Sequence, residues 1–471
     1  MYNYNVILTV DIGTSVFKTA IWDFDGRRIS YAASDLTFTQ SEGLRYETDS
    51  ALWLKAFENC CGRLSGDVKL SSADAVVLCG NGPSLTPVLA DPVFSAGSLS
   101  VKTAPVRLWL DKRAKQAAKE VSALSGGFVD PCFFLPKVLD IKTNEPLLYD
   151  KTKFFLGCPE FLAFALTGEA RTIFPSGGFE RWFWNDEILS RLGLGSEKFP
   201  PFIRPGETFG TLAMQAASCF GLKPDIPVIC GGPDFFAAIL GCGTAKPAVA
   251  CDRTGTSTGI NVCTKTQISN ERFMSYAHPV KPYWNLSGVI STTGKAIEWA
   301  SNILGLKDID SFFALAETAP AGAGGLVFLP FLTGGCAVNK NSSPSSSGGM
   351  FKGLNLFTGR PEIARSVIEG INFAIRDIAD EMIKAGAVIN ELRVAGSVFK
   401  NNFLNQIKAD ILQRPVLVPQ QKEAELMGLA LIGSCACGKY ASFSEAVSAL
   451  VKIEKTFLPD TSKAALYNEM Y

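Results

Sequence analysis

The sequence predicts an α/β protein built as two similar halves. Three observations carry that expectation. Short β-branched runs alternate with longer stretches of helical apolar spacing along the whole chain. The triplet Gly-Thr-Ser follows a strand-like run at residues 13–15 and again at 255–257. The length, 471 residues, allows two to four domains at roughly 100–200 residues each. A junction near residue 245 divides an N-terminal domain (1–245) from a C-terminal domain (246–471).

In chain order, Val6–Val10 reads as a strand, Asp11–Ser15 as a tight turn and Thr19–Trp22 as the returning strand, with Asp25-Gly26 as a hairpin turn. A helix is expected over Ser50–Leu64, a buried strand over Ala75–Cys79, and helices over Asp111–Leu124 and Glu160–Leu166. Val228–Cys230 reads as a strand before a glycine turn. Downstream, Ala248–Cys251 and Ile260–Cys263 flank the second Gly-Thr-Ser turn. A long helix opens near Pro361 and ends before Gly386, because Ile363, Val367, Ile368, Ile371, Ile375, Ile378 and Met382 recur at helical spacing. Leu392–Val394, Asn402–Leu412 and Pro415–Val418 follow as strand, helix and strand. The Ser-rich stretch 341–349 has nothing to bury and reads as a surface loop.

Composition narrows the chemistry. Basic and acidic residues balance at 45 each, which argues against a nucleic-acid footprint. The thirteen cysteines include no Cys-x-x-Cys pair and many lie in apolar runs, as in a reduced, cytoplasmic protein. No apolar stretch reaches the length of a membrane span, so no membrane partner is expected. His278 is the single histidine, which excludes any site needing two imidazoles. A general base is therefore expected to be a carboxylate.

No Walker A or Gly-x-Gly-x-x-Gly pattern is present, so the Gly-Thr-Ser turns are the phosphate-site candidates. Glycine lets a backbone approach phosphate closely, while hydroxyl and N–H groups donate to its oxygens. Lys18 adds a positive charge after the first turn, and Asp11 could hold Mg²⁺ through water. A plain hairpin turn would carry the same letters. Asp234 is a lone carboxylate opening an apolar helix; it reads equally as a helix cap or as a base aimed at a substrate hydroxyl.

Taken in order, these segments resemble the FGGY carbohydrate kinases, from about residue 6 to about residue 440. Asp11–Ser15 with Lys18 is similar to that family's first phosphate motif, and Gly255, Thr256 and Ser257 to its second. Asp234 falls on the family's catalytic Asp, and Gly294 on a glycine near the nucleotide. Gly396–Gln406, with Ser397 and Asn401, resembles the adenosine motif. The resemblance implies two ribonuclease-H-like, actin-like domains with a cleft between them, and ATP and Mg²⁺ as cofactors. It also implies a sugar or polyol substrate, with a homodimer left open. Gly13, Thr14, Ser15, Lys18 and the second turn would hold the nucleotide phosphates, with Asp11 near the metal and Asp234 as base.

The departures from the family pattern gather at the sugar end. Gly82–Leu85 replaces the polar residues that grip hydroxyls in relatives, leaving Asn81, Ser84 and Thr86 as polar candidates. Trp109-Leu-Asp111-Lys-Arg113 resembles the family's Trp-x-Asp-x-Arg; Trp109 reads either as a sugar-stacking ring or as a buried anchor beside an Asp–Arg pair. Pro233 and Phe235 flank Asp234 where other residues are usual. The expected activity is phosphorylation of a terminal hydroxyl of a ketose, with a pentulose as the leading candidate. A polyol or deoxyhexulose kinase is the enzymatic alternative, and a non-catalytic sugar or nucleotide sensor is the alternative of another class.

Overall fold

The computed structural model describes residues 6–41, 44–95, 97–254, 258–290, 293–332 and 348–471. The chain packs as two units: Met1–Gly241 with Glu425–Leu450, and Cys242–Ala424 with Val451–Tyr471. The division expected near residue 245 therefore runs beside a second exchange, in which a late segment returns to the first unit.

The first unit is organised by a six-stranded sheet. Its strands lie in the order Thr208–Thr211, Pro227–Pro233, Ala73–Gly80, Val6–Ile12, Val16–Asp23 and Arg28–Asp35. Val6–Ile12 is antiparallel to Val16–Asp23 across the tight turn and parallel to Ala73–Gly80 on its other side. Every residue of Val6–Ile12 is buried, as a central strand covered on both faces requires. Helix Ala51–Leu64 lays Trp53, Phe57, Cys60 and Leu64 on one face, at the spacing of an amphipathic helix. Helix Cys158–Thr167 is buried on nearly all sides and stops at Gly168, whose φ of +77° is the left-handed cap that glycine adopts without strain.

The returning segment makes close backbone contacts in this unit. A Cβ on Gly428 would stand 1.8 Å from the Ala237 carbonyl oxygen, so helix Ala424–Ala436 rests directly on helix Asp234–Gly241. A Cβ on Gly433 would stand 2.7 Å from the Val77 side chain and 3.0 Å from that of Ile7.

The second unit repeats the plan. Its seven strands run Met274–Ala277, Trp284–Ile290, Thr258–Thr264, Val249–Thr254, Glu391–Ala395, Val416–Pro419 and Ile453–Phe457. Val249–Thr254 is antiparallel to Thr258–Thr264 and parallel to Glu391–Ala395, which is parallel to Val416–Pro419. Val249–Thr254 thus occupies the place that Val6–Ile12 holds in the first sheet. This is the duplicated ribonuclease-H-like arrangement that the resemblance implied. The 25-residue helix Arg360–Lys384 forms the spine of the second core, with Pro361 in its first turn and Gly386 beyond its end.

One helix expectation is corrected. The stretch expected to be helical from Asp111 begins at Lys115 instead. Arg113 and the Tyr46 N–H hold the Asp111 carboxylate, and that bonding keeps residues 111–114 out of the helix. Residues 341–347 of the Ser-rich stretch lie outside the described residues. Among the described residues, no helix is long and apolar enough to cross a membrane.

Candidate active site

Three adjacent parallel strands of the first unit end in register. Ile12 lies opposite Gly80, and Gly80 opposite Pro233. Asp11, Asn81 and Asp234 are thereby brought to one edge of the sheet, at the carboxyl ends of the strands where open α/β sheets bind ligands. The register shift between Cys230 and Gly232 bends the third strand, and Gly232 takes φ +81° immediately before the helix that Asp234 opens. Asp234 Oδ1 accepts the Phe235 N–H at 2.5 Å, so the carboxylate sits at the positive end of that helix.

Asp11 is 4% exposed, and its carboxyl is pushed up to about 8. Burial is the main cause, followed by the negative charge of Glu425; Lys18 pulls the other way, and Asp234 adds a smaller upward push. Cys79 Sγ donates to Asp11 Oδ1 at 3.5 Å. Glu425 was not singled out in the sequence. It is an acidic residue in the first turn of an apolar helix, the very pattern that singled out Asp234. Three carboxylates and one lysine form a field that a divalent cation would offset, so the residues fit Mg²⁺ near Asp11. Among the described residues, no group of three or more His, Cys, Asp or Glu is arranged to hold a metal alone.

The first turn is a tight one. Gly13 N–H donates to Val16 O at 3.1 Å, and a Cβ on Gly13 would lie 2.5 Å from that oxygen. Ser15 is exposed and its carbonyl accepts from Leu36 N–H, while Thr14 and Lys18 are half-buried. Trp109 Nε1 donates to Thr14 Oγ1 at 2.9 Å, joining the turn to the loop that holds the Asp111–Arg113 pair.

Asp111 is fully buried. Burial would raise its pKa, but Arg113 and the N–H groups of Tyr46 and Arg113 outweigh it and hold the carboxyl below its ordinary value. Asn81 Nδ2 donates to Ile12 O at 2.8 Å, and Asn81 Oδ1 accepts from Ser84 at 2.6 Å. Both residues therefore shape the strand end through their own hydrogen bonds, and Ser84 is only 1% exposed.

Two features around these loops were not legible in the sequence. Lys137 is fully buried, and its ammonium donates to Pro83 O at 2.8 Å, Leu108 O at 2.7 Å and Arg107 O at 3.3 Å. It ties the Asn81–Ser84 loop to the Trp109 loop; burial pushes its pKa down to about 7. Beside Asp234, Phe235 stacks on Phe179, Phe179 meets Trp182 edge-on, and Trp182 stacks on Phe133.

In the second unit, Gly255, Thr256 and Ser257 lie outside the described residues. Gly294 is the first residue of helix Gly294–Ile303, an N-terminus suited to anions. Gly396 takes φ +117°, and a Cβ there would meet Thr254 O at 2.3 Å, so only glycine fits. Ser397 begins a short 3₁₀ turn. Asn401, expected to face a nucleoside, accepts the Leu404 N–H at 3.0 Å through its side-chain oxygen and caps helix Asn402–Leu412. His278 lies outside every motif. It is buried, accepts the Val280 N–H at 2.9 Å, and is pushed down to about 4 by burial.

Comparison with known proteins accords with this geometry. Residues 6–241 match the N-terminal domain of the FGGY family of carbohydrate kinases, and residues 253–437 match its C-terminal domain. The xylulose kinase of Escherichia coli (strain K12) is 24% identical over 474 residues, covering 97% of this chain and 95% of that protein. The xylulose kinase of Klebsiella pneumoniae is 26% identical over 417 residues, covering 85% and 84%. The crystal structure of a gluconate kinase from Lactobacillus acidophilus superposes with a TM-score of 0.84 at 22% identity, covering 99% of this chain and 96% of that one. The duplicated sheets, the ordered motifs and both domain matches agree: the chain belongs to the FGGY family of carbohydrate kinases, and is a sugar kinase that uses ATP and Mg²⁺.

Proposed function

We propose that this kinase phosphorylates a terminal hydroxyl of a ketose, with a pentulose foremost, and that Asp234 is the general base. One observation carries the reading: Asp234 opens a helix at the ligand-binding end of the sheet, on the same edge as Asp11 and close enough to influence its titration. Similarity to xylulose kinases over nearly the whole chain supports the pentulose. Bound Mg²⁺·ATP supplies the phosphoryl group and neutralises its charge, with Asp11 and Lys18 on the metal and phosphate side. Asp234 accepts the proton of the attacking hydroxyl, and the Phe235 N–H holds its carboxylate at the helix start. Trp109, fixed by Thr14, presents its ring on the sugar side.

A second acceptor class, a deoxyhexulose or polyol, is favoured by the hydrogen bonds that Asn81 and Ser84 already make within the protein. These leave fewer polar atoms to read hydroxyls. ADP release measured over pentuloses, hexuloses, deoxyhexuloses and polyols separates the two. Asp234→Asn is expected to lower kcat roughly 10²–10⁴-fold while leaving Mg²⁺·ATP affinity in place. An active Asp234→Asn enzyme would remove Asp234 from the base role. Tight ATP binding with no stimulating sugar would make the chain a sensor.

A further inference from the structure

The second unit holds a buried ion pair with no part in the steps above. Lys408 Nζ donates to Asp252 Oδ2 at 2.7 Å, and the two side chains are 2% and 0% exposed. Asp252 Oδ1 accepts from Thr254 Oγ1 at 2.7 Å, so both carboxylate oxygens are engaged. Strand alternation puts Asp252 and Thr254 on one face, and Thr254 is the last residue of its strand. Gly396 presses on Thr254 from its other side, its missing Cβ leaving room for the Thr254 carbonyl. Lys408 Nζ stands 5.3 Å from the ring centroid of Phe399, three residues after Gly396, and Asn405 Nδ2 donates to Phe399 O at 2.9 Å. One ion pair thus reaches both the end of the Val249–Thr254 strand and the Gly396–Asn401 segment.

Burying two charges is a poor way to hold a core, because desolvation cancels much of their attraction and apolar residues of equal volume serve as well. Charge-assisted hydrogen bonds supply direction instead. They hold the Asp252 carboxylate in one rotamer and, through it, the Thr254 hydroxyl.

We propose that Asp252 and Lys408 are a positioning pair that sets Thr254, at the end of its strand, against the Gly396–Asn401 segment, and so governs nucleotide handling. This rests on the reading of Gly255–Ser257 and Gly396–Asn401 as the nucleotide-binding motifs. It predicts an effect on ATP and none on the acceptor sugar, a split that loss of general stability would not produce.

The decisive protein is the apolar double variant Asp252→Leu with Lys408→Met, which leaves no unpaired charge. It is expected to stay folded by circular dichroism, with Kd for Mg²⁺·ADP and KM for ATP raised about tenfold. Acceptor KM should stay within about twofold of the parent. Lys408→Arg, which keeps the pair, should recover most of the ADP affinity. A folded double variant with unchanged Mg²⁺·ADP affinity by calorimetry would overturn the proposal. Gly396→Val serves as the control. If it too binds Mg²⁺·ADP normally, the nucleotide reading of that segment falls; if it alone loses ADP, only the positioning role falls.

Discussion

The Trp109 indole N–H donates to the Thr14 hydroxyl at 2.9 Å, so a residue assigned to the sugar side is bonded to one assigned to the phosphate side. Ring and turn are ninety-five positions apart in sequence, yet each fixes the other's orientation. Trp109 is therefore an anchor of the first turn, beside the sugar-side role proposed for its ring.

Trp109→Phe keeps an aromatic ring and loses the hydrogen bond. It should lower kcat/KM about tenfold, and Thr14→Val should do the same. Because the two residues share one bond, the double variant should be little worse than either single one. A double-mutant cycle read in kcat/KM checks this; additive losses would mean that the bond does not couple the sites.

Glu160 predicts a pH dependence of stability. It is 4% exposed, its Oε1 accepts the Ile173 N–H at 3.1 Å, and burial pushes its carboxyl up to about 7. A raised folded pKa means that the stabilising contribution is complete below about pH 4.5 and is lost as pH rises through about 7. Glu160→Gln keeps the acceptor and cannot ionise. Urea unfolding should show the variant gaining on the parent by on the order of 2–3 kcal/mol at pH 8, and by little at pH 5. An equal difference at both pH values would contradict this.

Gly428→Ala should be costly for so small a change. Its Cβ would sit 1.8 Å from the Ala237 carbonyl oxygen, and backbone on both sides must move. A loss of about 1–3 kcal/mol is expected. The displaced helix begins at Asp234, so activity should fall as well, measured as kcat at a temperature where the variant is still folded. Gly221→Ala provides a contrast. No atom lies within 4 Å of its would-be Cβ, and its φ of +67° confines the cost to backbone strain of about 1 kcal/mol.

Lys137→Met should damage the sugar side selectively. Three carbonyl oxygens lose a charged donor, and the Pro83 and Leu108 loops lose their common tie. A stability loss of about 2–4 kcal/mol is expected, with the acceptor KM rising more than the KM for ATP. Steady-state kinetics with each substrate varied in turn would decide; equal rises in both constants would leave Lys137 with a purely structural role.

Much of this was legible in sequence because it rests on local patterning. The paired strands flanking the two Gly-Thr-Ser triplets, the long helix after Pro361 and the helix opened by Asp234 all follow from apolar spacing and turn residues over a few positions. What escaped depends on distant partners. The Asp111–Arg113 pair is legible, but the Tyr46 N–H that also holds the Asp111 carboxylate comes from 65 positions away in sequence. Lys137 reads as a surface lysine until the fold gathers three carbonyls around it. Glu425 was hidden differently: its pattern is local, but its importance comes from Asp11, brought beside it only by tertiary structure.

The return of Glu425–Leu450 to the first unit bears on how the protein is made. During synthesis, residues through Gly241 leave the ribosome without the helix on which Ala237, Val77 and Ile7 close. At about 5–20 residues per second, that helix follows roughly ten to forty seconds later. For the same reason, cutting the gene at the visible midpoint would yield two incomplete fragments, whereas co-expression with residues 425–450 would supply the missing piece.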